Sequence, residues 1–143
     1  MIVLDTNVIS EILRQARKTA VTDWFDSQPA SEIHICSPVL AELAYGVERM
    51  PRSKRKDELA SRVSTLVQEV FPGRVLSFDA DAAFAYGEVV ASREATGRPI
   101  SVMDAMIAAI ARSNRAMLAT RNLRDFEGTG IRLIDPFTGR HHE

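Results

Sequence analysis

The sequence has few of the features that mark secreted or membrane proteins. It contains one cysteine, Cys36, which cannot form an intrachain disulfide, and the apolar run around it favours a buried thiol over a reactive one. No segment approaches the roughly 18 apolar residues that a membrane span requires. No basic stretch followed by a long apolar one marks a leader peptide at the amino terminus. We therefore expect a cytoplasmic protein.

Net charge is also nearly absent. The chain has 18 Lys and Arg against 19 Asp and Glu, a net charge of −1. This balance gives no overall attraction to nucleic acid or to an anionic membrane, so nucleic-acid binding would need a local patch or a metal ion. With 143 residues, 45% of them hydrophobic, we expect a single domain over residues 1–143 with a flexible end at 137–143.

Short apolar runs alternate with helical patterns along the chain. The runs predict five strands, at residues 2–4, 33–36, 74–78, 116–119 and 131–134. The segments between them have apolar residues at helical spacing. This alternation predicts an α/β fold around a central, mostly parallel five-stranded sheet.

Four acidic residues stand close to the ends of these strands. Asp5 follows the first strand, and Glu42 lies just over one turn into the helix after the second. Asp104 opens the helix before the fourth strand, and Asp125 follows that strand. Because ligands bind beyond the carboxyl ends of strands in open parallel sheets, we expect these four side chains to converge.

Converging carboxylates need a counter-charge. At about 4 Å and an effective dielectric near 20, each pair repels by roughly 4 kcal/mol. The cluster therefore requires protonation or a bound cation. All four side chains offer hard oxygen ligands and no Cys and His set competes, so Mg²⁺ or Mn²⁺ is the expected occupant.

The same positions also allow purely structural interpretations. Asp5 is a good helix N-cap, and Asp104 could pair with Ser101 in a capping box. Most helix glutamates are simply solvated, and Glu42 could be one of them. These alternatives remain open from the residue pattern alone.

The segments that carry the acids resemble the successive acidic motifs of PIN domains. They read Val-Leu-Asp-Thr-Asn at 3–7, Pro-Val-Leu-Ala-Glu at 38–42, Ile-Ser-Val-Met-Asp-Ala-Met-Ile-Ala at 100–108 and Thr-Arg-Asn-Leu-Arg-Asp-Phe at 120–126. Four motifs in this order, over nearly the whole chain, are similar to the VapC toxins of bacterial toxin–antitoxin pairs, especially the FitB-like members. The resemblance implies a three-layer α/β/α PIN-like domain. It also implies a metal-dependent endoribonuclease that cleaves RNA when freed from a small antitoxin.

The resemblance also assigns roles by position. Asp5 and Asp104 would be the main metal ligands, while Glu42 and Asp125 would complete the catalytic acidic pocket, hold a second ion or orient the attacking water. The donors that would fix these carboxylates follow the same motifs; they are Thr6, Asn7, Thr120 and Asn122. The implied partners are RNA, a second copy of the chain and a cognate VapB- or FitA-like antitoxin, with DNA bound only through the antitoxin.

Two other functions compete with a ribonuclease. A phosphatase of the haloacid-dehalogenase type also begins with a strand-end aspartate, but it would need a second aspartate where this chain has Asn7 and a lysine after Lys56, where there is none. A regulatory partner with little nuclease activity, which dimerises and strengthens operator binding by its antitoxin, is the alternative within the same family.

A basic stretch could hold phosphates beside the acidic pocket. Residues 49–56 contain five basic residues out of eight, and Arg14, Arg17 and Lys18 add to them. A solvated face is the ordinary interpretation of such a run, and phosphate contact is the alternative.

Overall fold

In residues 1–14 and 18–142, which the computed structural model describes, six β-strands alternate with seven α-helices. The strands are β1 (Ile2–Leu4), β2 (Ile33–Cys36), β3 (Val75–Leu76), β4 (Met117–Ala119), β5 (Leu133–Asp135) and β6 (Arg140–His142). The helices are α1 (Thr6–Leu13), α2 (Ala20–Ser27), α3 (Ser37–Glu48), α4 (Lys54–Thr65), α5 (Ala80–Ala95), α6 (Val102–Ser113) and α7 (Leu123–Phe126). A π-helical turn, Leu66–Val70, continues α4. None of the helices within this described part is long and apolar enough to cross a membrane.

The strands form one sheet in the order β3-β2-β1-β4-β5-β6. All neighbouring pairs are parallel except β5 and β6, which are antiparallel. The predicted three-layer α/β/α architecture with a mostly parallel sheet is therefore confirmed. The chain runs outward from β1 to β3 and then returns to build the other half from β4. The crevice beyond the ends of β1 and β4 is thus the topological switch point, where ligands bind in such sheets.

The central strands are apolar on both faces because helices cover both. Val3 and Leu4 of β1 and Leu118 of β4 are fully buried. Fully burying side chains of this size stabilises the fold by roughly 1.5–3 kcal/mol each. The polar residues that follow β1 and β4 are consequently attached to the most firmly packed part of the sheet.

The sheet has one strand more than the sequence predicted, and the extra strand lies in the segment expected to be flexible. The carboxylate of Asp135 accepts hydrogen bonds from the Phe137 N–H at 2.8 Å and the Thr138 hydroxyl at 2.9 Å. Gly139, at φ 75°, completes the reversal, and β6 then pairs with β5. The pattern gave no sign of β6 because its polar, exposed residues pair through the main chain and bury no apolar face.

Candidate active site

Asp5 follows β1 directly and lies at the switch point. Its main-chain N–H donates to the Ala119 carbonyl at 2.9 Å, which extends the pairing of β1 with β4 by one residue. Its Oδ1 accepts the Thr6 N–H at 2.7 Å and so caps α1. The residue is only 5% exposed. The capping interpretation of Asp5 is therefore correct, and the cap stands inside the crevice.

A polar network holds the second oxygen of Asp5. Thr120, fully buried at the end of β4, donates its hydroxyl to Oδ2 at 2.7 Å. The Asn7 amide donates to the same oxygen at 3.3 Å and to the Thr120 hydroxyl at 3.4 Å. The main-chain N–H groups of Asn122 and Arg121 donate in turn to Thr120 at 3.0 Å and to the Asn7 side-chain oxygen at 3.1 Å. The orientation of the Asp5 carboxylate is therefore set from two distant segments of the chain.

Of the expected donors, Asn122 differs from the other three. Thr6, Asn7 and Thr120 each bring a side chain to an acidic group, whereas Asn122 reaches the network through its main-chain N–H.

Thr6 joins Asp5 to Glu42. The Thr6 N–H donates to the capping carboxylate of Asp5, and the Thr6 hydroxyl donates to Glu42 Oε1 at 2.7 Å. Glu42 is half-buried on α3, the helix that follows β2. Glu42 is therefore more than a solvated helix residue, because a side chain of α1 holds it beside the crevice.

Asp104 and Asp125 come from the elements on either side of β4. The Asp104 N–H donates to the hydroxyl of Ser101, the N-cap of α6, at 3.1 Å. Asp104 itself is half-buried. Asp125 is exposed on α7, and its N–H donates to the Asn122 carbonyl at 3.1 Å. The charges of Asp104 and Glu42 act on Asp5, and that of Asp125 acts on Asp104, so the structure brings the four predicted acids near one another.

The acids raise one another's affinity for protons. Burial, together with the charges of Asp104 and Glu42, raises the pKa of Asp5 to about 6, against the hydrogen bonds from Thr120 and the Thr6 N–H, which lower it. Carboxylates that share an enclosed site are expected to behave in this way, and a cation placed among them would lower the pKa values again.

Asp104 is coupled to Asp125 in the same way. Burial raises the pKa of Asp104, and the charge of Asp125 raises it further. The Ser101 hydroxyl and the positive charge of Arg93 lower it. The four carboxylates therefore form one electrostatic group, in which Asp5 is buried, Asp104 and Glu42 are half-buried and Asp125 is exposed.

The donor set suits a hard divalent cation. Within residues 1–14 and 18–142, no three His, Cys, Asp or Glu side chains lie close enough together to hold one ion. Mg²⁺, however, is commonly bound by one or two carboxylates and completes its shell with waters and substrate phosphates. The charge of Asp104 acts on the buried Asp5, and these two are the pair that could hold such an ion.

Cys36 ends β2 close to these acids and is buried, as expected. Burial, together with the charges of Asp5 and Glu42, raises the pKa of its thiol to about 12. The thiol therefore stays protonated at physiological pH and acts as a small apolar side chain.

A cleft of about 820 Å³ opens beside the acids, between α1, α3 and α4. Thr6 and Glu42 line it together with three arginines, which are Arg14, Arg55 and Arg62. Arg62 donates to the Leu13 carbonyl at 3.0 Å, and Arg14 pairs with Glu11 at 3.5 Å. Arg55 is therefore the cleft arginine best placed to contact a polyanion.

Some of the predicted basic side chains contact main-chain carbonyls or acidic side chains, and others are exposed. The Lys56 ammonium donates to the Glu48 carbonyl at 3.1 Å and the Met50 carbonyl at 3.2 Å, so it caps the end of α3. Lys18 pairs with Asp23 at 3.6 Å on the surface. Arg17 lies outside the described residues. The exposed basic side chains nearest in sequence to the cleft-lining Arg55 are Arg52 and Lys54.

Sequence reasoning missed one charged residue close to the acids. Arg93 is 5% exposed and follows the buried positions Ala82, Ala85 and Val89 along α5. An arginine within such a buried helical stripe is the signal that could have identified it, since arginine is almost never fully buried without a partner.

Comparison with known proteins agrees with this geometry. The PIN domain family matches residues 2–130. VapC ribonuclease Y4jK of Sinorhizobium fredii is 38% identical over 137 residues, which cover 96% of this chain and 98% of that protein. Toxin FitB of Neisseria gonorrhoeae is 33% identical over 137 residues, 96% of this chain and 99% of that protein. The structure of FitAB bound to an IR36 DNA fragment superimposes with a TM-score of 0.90 at 32% identity and covers 100% of both chains.

Proposed function

The chain belongs to the PIN domain family, and on this basis we propose that it is the endoribonuclease toxin of a VapBC-type toxin–antitoxin pair. It hydrolyses RNA phosphodiester bonds with a divalent cation, Mg²⁺ or Mn²⁺. The observation that carries the proposal is the network at the switch point, where Thr120 and Asn7 fix a buried Asp5 whose charge is coupled to Asp104 and Glu42.

The acids and their hydrogen-bond donors have different tasks. Asp5 and Asp104 would hold the cation, which when bound supplies positive charge for the scissile phosphate and lowers the pKa of a water. Glu42, oriented by Thr6, and the exposed Asp125 orient the attacking water. Thr6, Asn7 and Thr120 keep the carboxylates in place, as the residues around metal ligands commonly do.

The direct test uses purified protein free of any partner. Mixed RNA is incubated with it in Mg²⁺, in Mn²⁺ and in EDTA, and the products are separated on a denaturing gel. We expect cleavage with either ion and none in EDTA. Equal cleavage in EDTA, or none with either ion over a broad set of RNAs, contradicts the proposal.

A regulatory role is the second candidate, because the chain superimposes over its full length on a FitAB structure that contains DNA. In this role the protein forms a homodimer, and a FitA- or VapB-like antitoxin covers the acidic site and supplies the DNA contact. DNA binding seen only with the antitoxin, without cleavage by the free protein, favours this role. Cleavage by the free protein favours the ribonuclease.

Replacing Thr120 tests how the Asp5 carboxylate is held. Thr120→Val keeps the shape of the side chain but removes the hydroxyl that donates to Oδ2. Cleavage should fall by about 10- to 100-fold, the usual effect of losing a group that orients a metal ligand. The measurement is the rate of RNA cleavage at saturating Mg²⁺.

Thr138→Val is the matched control. The Thr138 hydroxyl also donates to an aspartate, Asp135, and also accepts a main-chain N–H two residues further on, but at the turn before β6. The rate of RNA cleavage by Thr138→Val should stay close to that of the wild type. Equal losses in both variants would mean that Thr120 acts only through general stability.

Reversing the free basic charges tests their contact with RNA. The triple variant Arg52→Glu, Lys54→Glu and Arg55→Glu should raise KM for RNA by more than about 10-fold at low salt. The slope of log affinity against log salt should fall by about 0.7 for each lost phosphate contact. Reversal of the exposed Arg115, Arg132 and Arg140 makes the same change in net charge elsewhere and should leave the slope unchanged. Equal slopes in both triple variants and the wild type contradict the contact.

A further inference from the structure

Arg93 is a buried cation held by main-chain carbonyls. Its Nε donates to the Arg98 carbonyl at 2.6 Å, and its Nη1 donates to the carbonyls of Asp125 at 2.7 Å and Glu127 at 2.9 Å. None of the ion pairs among residues 1–14 and 18–142 includes it. Burying a charge without a directly paired carboxylate is costly, so this placement calls for a specific reason.

The three carbonyls belong to two different segments. One segment is the connection from α5 to α6, in which the Arg98 N–H also donates back to the Arg93 carbonyl at 2.9 Å. The other is α7 and the residue after it, which carry Asp125 and Glu127. The rigid, planar guanidinium can bridge both segments at once. Arg93 therefore ties the segment of Asp125 to the segment that leads into α6 and Asp104.

The hydrogen bonds to the three carbonyls partly replace the water that the buried guanidinium has lost. Arg98 reinforces the bridge from the surface, with hydrogen bonds to the Arg124 carbonyl at 3.2 Å and the Glu127 carboxylate at 3.1 Å.

We propose that Arg93 is a positioning residue of the nuclease site, which locks α7 against the start of α6 so that Asp125 stands beside Asp104. This inference rests on the proposed nuclease function. It assigns to α5, which contributes none of the four acids, the task of setting the distance between two of them.

A double-mutant cycle tests the inference. Arg93→Met removes the charge and the donors but keeps much of the apolar volume, and it should lower RNA cleavage by about 10- to 100-fold. In an Asp125→Asn background the same substitution should lower cleavage by less than about threefold, because the side chain that Arg93 positions is already lost. Losses that simply multiply would show that Arg93 acts on general stability, and would overturn the proposal.

Hydrogen exchange provides a readout that needs no activity. The amides of residues 125–128 should exchange faster in Arg93→Met. Arg112→Met is the matched control, since it removes an arginine that joins α6 to α5 through Glu88 at 2.7 Å. It should leave the exchange of these amides unchanged. Unchanged exchange in Arg93→Met would overturn the proposal.

Arg93→Lys covers the case in which the methionine variant does not fold. Lysine keeps the charge, but a single ammonium cannot bridge both segments, so exchange at 125–128 should still be faster and cleavage slower than in the wild type. Wild-type values for both would overturn the proposal. If the wild type itself cleaves no RNA, the nuclease function fails, and hydrogen exchange still decides whether Arg93 holds residues 125–128.

Discussion

Asp5→Asn and Asp104→Asn should each reduce metal-dependent RNA cleavage by more than about 100-fold, beyond the range seen when only the surroundings of a metal ligand are changed. Each substitution keeps the size of the side chain and removes one negative charge from the buried end of the acidic group. Asp5→Asn also places an amide against the Thr120 hydroxyl, which now donates to Oδ2. The measurement is the initial rate of cleavage over a range of Mg²⁺ and Mn²⁺ concentrations.

Asp79→Asn is the control for Asp5→Asn. Asp79 caps α5 with its carboxylate, as Asp5 caps α1, and it is not among the charges that act on Asp5 or Asp104. It should cleave RNA at the rate of the wild type. Cleavage that persists in both site variants would reveal a contaminating nuclease, and a selective loss in Asp79→Asn would show that helix capping explains the effect.

The stability of the metal-free protein should fall relative to that of Asp5→Asn as the pH rises from 4 to 7. The pKa of Asp5 is raised to about 6 in the folded protein and returns to its ordinary value near 4 on unfolding. Below pH 4 the carboxyl is protonated in both states, so burial costs little. Above pH 6 the folded state must hold a desolvated carboxylate, which lowers the free energy of unfolding by about 3 kcal/mol.

Urea unfolding of both proteins in EDTA, at several pH values, measures this difference. The difference between wild type and Asp5→Asn removes the contribution of groups remote from Asp5 and keeps that of Asp5 with its coupled neighbours Asp104 and Glu42. Millimolar Mg²⁺ at pH 7 should stabilise the wild type and leave the variant almost unchanged, since a ligand stabilises only the state that binds it. A difference that is constant from pH 4 to 7 would show that the pKa of Asp5 is not raised.

The predictions from the sequence were most accurate where the pattern of apolar residues and the burial in the structure agree. Strands β1 and β2 lie at residues 2–4 and 33–36, as predicted, because their apolar runs are buried on both faces and end at polar residues. The strand predicted at 74–78 is shorter, Val75–Leu76, and the one at 131–134 is shifted to Leu133–Asp135. Arg74, Ser77 and Phe78 lie outside β3, whereas Asp135 lies inside β5, because main-chain pairing sets these ends and composition cannot show where it stops.

The four acids could be predicted because motif order and strand ends coincide, whereas the contacts that hold them were only partly predictable from the sequence. Thr120 and Asn7 stand within the same motifs as the acids, so they could be expected near Asp5. Arg93 stands apart from every motif, and its partners are main-chain carbonyls that leave no trace in residue types. Longer-range bonds of this kind require the fold before they can be assigned.

The order of strands also governs when the site can exist during synthesis. β1 emerges from the ribosome first, yet its neighbour β4 is made more than 110 residues later, and Asp5 depends on Thr120 at the end of that strand. Until β4 inserts beside β1, the crevice has not formed, and Asp104 and Asp125 are not in place beside Asp5 and Glu42. The acidic centre therefore cannot form until the chain has been made past β4 and Asp125.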